Sequence, residues 1–271
     1  MSSGLLTGGK SNEEILKTFS HVDFPPQNPS NIKMQIQTHS EIGRRDTNQD
    51  LIYTSQKDHG FLIVVADGHG NECDKVAEAA LRAVKEMGIP SLLAPFEPWM
   101  EDTHRVIVAQ TRRFSNSGST LSIFYHIWGQ SFIYQVGDSP IFVKTGDTIQ
   151  EFRGHGVDFA ENDKDLLRAV AAGGTMKIIN GSFYLTSGPN ALRLTRALGN
   201  AGFGAALSSD PLIKKIEGVV DSVLVASDGF TGEKQEVFNL MKRQEDISRF
   251  VELQKKRGIS DNLSISLKYI F

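Results

Sequence analysis

The chain holds one cysteine, Cys73, in 271 residues. A single thiol excludes an internal disulfide framework and a cysteine-based zinc site. It is compatible with a reducing compartment. Long apolar runs are also missing, and no stretch approaches the roughly 20 apolar residues that a membrane helix needs. The opening MSSGLLTGGKSNEE lacks the basic start and apolar core of a secretory leader. Gly4 lies too far in to be the second-position glycine that myristoylation requires. Neither sign of charge dominates: 29 Lys+Arg against 32 Asp+Glu leave a net charge of −3. A mildly acidic chain is a poor match for a phosphate backbone, so no nucleic-acid partner is expected. No membrane partner is expected either. With 39% hydrophobic and 23% charged residues, wholesale disorder is excluded and a sizeable core is available. A soluble, cytoplasmic monomer is the expectation, with a nuclear location left open.

Residues 1–30 are small and polar and close on Pro25, Pro26 and Pro29. They read as a loosely ordered arm. A short amphipathic helix around Glu13–Phe19 would put Ile15, Leu16 and Phe19 on one face. Gly4 to Ser11 matches the phosphate-loop pattern G-x-x-x-x-G-K-[ST], but only three residues precede it. No strand can deliver the loop, so the match reads as chance.

Residues 31–271 read as one domain. Ile32, Met34, Ile36 and Thr38 alternate with polar residues, the period of a half-buried strand. The run FLIVVA (61–66) is too short for a typical helix and reads as a strand buried on both faces. Ala77, Ala80, Leu81 and Val84 recur at helical spacing, and Gly88 and Pro90 end that helix. A second helix falls within Pro98–Phe114. Residues 119–152 read as strands joined by turns at Gly129-Gln130, Gly137-Asp138 and Gly146-Asp147. Residues 154–190 break the rhythm and read as an excursion with a helix through Leu166–Ala172. A buried strand follows within 221–229, then helices at Val237–Met241 and Ile247–Val251, then a last strand from Leu263 to Tyr269. Clustered strands with hairpins favour a mainly antiparallel α+β layered fold.

Aspartates mark the strand ends. Asp67 follows FLIVVA, Asp138 follows FIYQVG and Asp228 follows SVLVAS. Asp50 opens LIYTS, and Asp261-Asn262 opens the last strand. Each alone is ordinary turn chemistry. Gathered at one rim, they would repel one another unless hard cations such as Mg²⁺ or Mn²⁺ were bound. Paired ions of that kind suit phosphoester hydrolysis.

Eight motifs in order then resemble the metal-dependent type 2C (PPM) protein Ser/Thr phosphatases. They are Arg45-Asp-Thr-Asn-Gln-Asp50, Ala66-Asp-Gly-His-Gly70, Gly118-Ser-Thr120, Val136-Gly-Asp-Ser139, Ala171-Ala-Gly-Gly174, Leu194-Thr-Arg-Ala-Leu-Gly-Asn200, Ala226-Ser-Asp-Gly229 and Asp261-Asn262. The resemblance spans about residues 32–271. It implies a four-layer α-β-β-α sandwich of two mainly antiparallel sheets flanked by helices. It implies two Mg²⁺ or Mn²⁺ ions, bridged by Asp67, with the Gly68 carbonyl on one and Asp228 and Asp261 on the other. Asp50 would hold metal-bound waters, and Asp138 would help form a third, weaker site beside Asp228. A bridging water would attack phosphorus in line, Arg45 would grip the phosphate, and His69 would protonate the leaving alkoxide. The implied substrate is a phosphorylated protein, docked in part by the excursion at 154–190.

Four residues depart from the usual pattern: Gln49, Asn71, Thr195 and Asn200. None is an implied direct ligand, so they bear on metal affinity and rate. Two other functions stay open on the same fold. One is a weak or inactive phosphatase-like interaction module, and the other is a phosphoesterase acting on a small metabolite. Cys73 reads as incidental.

Overall fold

The computed structural model describes residues 35–90, 96–158 and 163–270. The N-terminal arm, its helix at Glu13–Phe19, the phosphate-loop-like stretch and the strand residues Ile32 and Met34 lie outside the described residues.

In chain order the first strands are β1 (Gln37–Glu41), β2 (Asp50–Lys57), β3 (Gly60–Gly70), β4 (Ser117–Ser119), β5 (Leu121–Ile127), β6 (Gln130–Val136), β7 (Ile141–Thr145) and β8 (Thr148–Phe152). The rest are β9 (Thr175–Ile179), β10 (Ser182–Ser187), β11 (Asn190–Leu192), β12 (Leu198–Gly199), β13 (Leu212–Ile216), β14 (Ser222–Ala226) and β15 (Leu263–Tyr269). The helices are α1 (Cys73–Met87), α2 (Phe96–Thr111), α3 (Asp163–Ala171), α4 (Lys234–Lys242) and α5 (Ile247–Arg257). One sheet runs β1-β15-β14-β7-β8. The other runs β12-β4-β3-β5-β6-β13, with β2 on the free side of β3. The pairings in both are antiparallel.

The layers follow from side-chain alternation. On β3, Phe61, Ile63 and Val65 face the second sheet, where they meet Ile141, Val143, Val223 and Val225. Leu62, Val64 and Ala66 face the other way, onto Ala77, Ala80 and Val84 of α1 and Ile107 of α2. On the far sheet, Leu224, Leu263, Ile265 and Leu267 meet Val237 and Met241 of α4 and Phe250 of α5. Two apolar faces per strand need cover on both sides, and helix-sheet-sheet-helix is the arrangement that supplies it. This is the four-layer sandwich that the resemblance implies.

β1 departs from expectation in phase. Thr38 is exposed, whereas Gln37, His39 and Glu41 are half-buried. Ile36 packs against the inter-sheet core from just ahead of the strand. Gln37 turns inward because its side-chain carbonyl accepts the Ile247 N–H at 2.8 Å, at the start of α5. The excursion holds α3 and a separate sheet, β9-β10-β11. Its own small core gathers Val157, Ala169, Leu185, Leu194, Ala197 and Phe203.

Candidate active site

Antiparallel pairing brings the start of β2, the ends of β3, β6 and β14, and the start of β15 to one end of the sandwich. Each of these points carries an aspartate. Asp50 and Asp67 are direct cross-strand partners on β2 and β3. Like charges opposite one another in a sheet repel, so the pair needs a counter-charge or a proton. Asp67 continues the inward row of Phe61, Ile63 and Val65, which aims its carboxylate between the sheets.

Glycines make the crowding possible. A Cβ on Gly68 would lie 2.9 Å from the Cys73 carbonyl oxygen, where α1 begins. A Cβ on Gly229 would lie 2.0 Å from the Asn262 carbonyl oxygen, so the turn after Asp228 can seat against the start of β15 only without a side chain.

Burial and mutual repulsion raise the proton affinity of Asp50, Asp67, Asp138 and Asp228. Burial, then the neighbouring Asp228 and Asp261 charges, pushes Asp50 up to about 6. Burial and Asp228 push Asp138 up to about 7. Asp67 is raised well above the usual range by burial and by Asp228, Asp50 and Asp138. Asp67 and Asp228 face each other, and the contact pushes Asp67 up while it holds Asp228 down. Asp228 itself opens to solvent at the mouth yet is raised by the protein crowding its inner side and by Asp261. Asp50 is 5% exposed, and both its carboxylate oxygens lack a well-formed hydrogen bond. The nearby Ser227 hydroxyl accepts the Ser264 N–H at 3.0 Å, and the Ser264 hydroxyl contacts that of Ser40 at 3.0 Å.

Arg45 pairs with Asp261 and feels Asp228 and Asp67. The loop that carries Arg45 is fastened by Asn262, which is 3% exposed. Its Oδ1 accepts the Gln49 N–H at 2.8 Å, and its Nδ2 donates to the Ile42 and Thr47 carbonyls at 2.9 Å. His69 Nε2 donates to Asn200 Oδ1 at 2.7 Å. A Cβ on Gly118 would lie 1.8 Å from that Oδ1, so glycine is required where Asn200 crosses β4. Asn200 sits at φ 51°, a left-handed conformation that asparagine tolerates. Burial lowers the His69 pKa, and the hydrogen bond to Asn200 offsets only part of that.

The aspartates, Arg45 and His69 thus lie at one end of the sandwich. Sequence reasoning gave no role to Asn262, and it treated Asn200 as a departure without a partner.

A family model described as protein phosphatase 2C matches residues 38–268. The chain belongs to the protein phosphatase 2C family. No curated protein matches it individually. Solved structures share its fold. A C. elegans sex determining protein is 20% identical at a TM-score of 0.70, over 87% of this chain and 64% of that one. The Mycobacterium tuberculosis serine/threonine phosphatase PstP/Ppp is 16% identical at 0.65, over 88% and 98%. PppA, a type VI secretion regulator of Pseudomonas aeruginosa, is 21% identical at 0.64, over 88% and 97%.

The donor set of this phosphatase-family chain fits a hard divalent cation. It is all oxygen, it is self-repelling, and it includes two orphaned carboxylate oxygens on Asp50. Among the described residues, no three acidic, histidine or cysteine side chains already converge as ligands. Asp261 is turned to Arg45, and Asp67 and Asp228 face each other. Among the described residues no helix is long and apolar enough to cross a membrane.

Proposed function

We propose that the chain hydrolyses phosphoserine and phosphothreonine in proteins, with two Mg²⁺ or Mn²⁺ ions as cofactors. The observation that carries this reading is the rim of five aspartates bordered by Arg45 and His69, in a chain of this family. Asp67, the Gly68 carbonyl, Asp228 and Asp261 would hold the two ions. Asp50 would orient the waters around them, and Asp138 would serve a third, weaker ion beside Asp228. Bound ions supply a water of lowered pKa as nucleophile and offset charge on the phosphoryl oxygens.

The chain's own residues do the rest. Asp67, whose charge burial and its acidic neighbours disfavour, ionises where a cation offsets that charge. Arg45 exchanges Asp261 for the phosphoryl group, which its planar fork grips through two oxygens. With His69 Nε2 donating to Asn200, the ring would take up a second proton on Nδ1 beside the bound phosphoryl anion and pass it to the leaving alkoxide. The Arg45–Asp261 pair is the observation that favours the alternative, a weak or inactive interaction module, since it occupies both groups.

Phosphate release from a phosphothreonine peptide tests the reading. We expect release with Mn²⁺ or Mg²⁺ and none with EDTA. No release with metal present would support the interaction module. Release from small phosphate monoesters but from no peptide would support a metabolite phosphoesterase.

A further inference from the structure

The mechanism leaves one arginine at the rim unused. Arg193 follows β11 and belongs to the excursion, yet a backbone ladder ties it to the acidic end of β6. Its carbonyl accepts the Val157 N–H at 2.8 Å, and Leu194 bridges Gly156. The His155 N–H donates to the Gly137 carbonyl at 2.9 Å, and Gly137 precedes Asp138. Gly154 is pressed to the same carbonyl, where a Cβ would lie 1.9 Å from the oxygen. Two backbone links, Arg193 to Val157 and His155 to Gly137, thus tie the segment carrying Arg193 to the strand end that carries Asp138. Its charge acts on both Asp138 and Asp228. Arg45 acts on Asp261, Asp228 and Asp67. The rim thus has an arginine bordering its Asp261 side and another bordering its Asp138 side.

The Arg193 side chain is 53% exposed and holds Asp158, itself 37% exposed. An exposed pair of this kind is worth little, so a better-placed anion displaces Asp158 easily. Asp158 is then the internal anion that a substrate anion replaces.

We propose that Arg193 selects phosphoprotein substrates that carry a second negative group beside the phosphorylated residue, either an acidic side chain or a second phosphoresidue. This rests on the phosphoprotein reading above. It goes further by naming the substrate class and a residue outside the eight motif positions assigned to chemistry.

The test is steady-state kinetics on phosphothreonine peptides that differ only in the flanking residues: acidic, phosphorylated, neutral or basic. Wild type should show a KM about threefold to fivefold lower for acidic than for neutral flanks, the range one exposed charge pair supports. A second phosphate should lower KM further, and high salt should shrink both differences. Arg193→Lys should keep the acidic preference, and Arg193→Glu should reverse it toward basic flanks. A loss of packing would weaken all peptides alike and could not produce that reversal. Equal KM values across flanks in wild type, or an acidic preference that survives Arg193→Glu, would overturn the proposal while leaving the phosphatase reading intact. Failure of wild type to turn over any phosphopeptide would remove both.

Discussion

Without divalent ions, Asp50→Asn is more stable than wild type at pH 8, by on the order of 3 kcal/mol. The gap closes as the pH falls toward 4. Asp50 is pushed up to about 6 in the fold, against roughly 3.9 in an unfolded chain. A carboxyl raised in this way lends its full stability below the unfolded value. That stability is lost as the pH rises through the folded value, because the fold must then hold a buried charge against Asp228 and Asp261. Asparagine mimics the protonated acid and is indifferent to pH. His126 and His155, which burial pushes down to about 4, act in the opposite direction, losing stability as the pH falls. They are common to both proteins and cancel in the comparison. For a chain of this size the gap corresponds to roughly 6–12 °C in melting temperature. Saturating Mn²⁺ should narrow or invert it, since the ion stabilises the native wild type by mass action. Melting curves of both proteins across pH 4–8, with EDTA and with Mn²⁺, check this. Parallel curves with no gap at pH 8 would mean that Asp50 carries no strain for a cation to relieve.

Asp67→Asn lowers metal-dependent turnover of a phosphothreonine peptide by at least about 10²-fold, the scale of losing one central electrostatic group. Asp67 stands at the middle of the rim: opposite Asp50, and pushed up by Asp228, Asp50 and Asp138. Burial and its neighbours disfavour its charge in the ion-free fold, so the neutral amide is accommodated and the melting temperature should not fall. That combination, activity lost and fold retained, separates a ligand from a packing residue. A variant that kept the wild-type rate would remove Asp67 from the metal assignment.

The layered antiparallel strands are legible because they are buried on both faces, whereas the four-layer order came with the family resemblance. Residues 61–66, 222–226 and 263–267 are almost wholly buried, and their uninterrupted or alternating runs survive in the primary pattern. Helix α1 was legible through Ala77, Ala80, Leu81 and Val84, which press on β3. The hairpin of β9 and β10 was passed over. Its apolar residues Ile178 and Phe183 are 68% and 50% exposed, so its alternation marks no buried face. A usable signal was present in Asn180-Gly181, both at positive φ, the turn chemistry of a two-residue hairpin. At the candidate site, aspartates at strand ends could be read as points along the chain, since a strand end is a local feature. Their partners could not. Arg45 meets Asp261 across 216 residues, and His69 meets Asn200 across 131. Such contacts arise only when the sheets close. Nothing near Asn262 in sequence announces that its side chain fastens the loop at 42–49, because the three backbone groups it binds lie on another strand's approach.

The proposed hydrolysis requires that the rim of aspartates be a site for hard divalent cations. Calorimetric titration of Mn²⁺ into ion-free protein at pH 7.5, with Asp67→Asn and Asp228→Asn in parallel, tests that directly. Two ions should bind, a third more weakly, with release of protons from carboxyls whose pKa values burial has raised. Both substitutions should abolish the tighter binding. A wild type that takes up no Mn²⁺ and releases no protons would contradict the proposed hydrolysis, and would leave a phosphatase fold used for binding rather than hydrolysis.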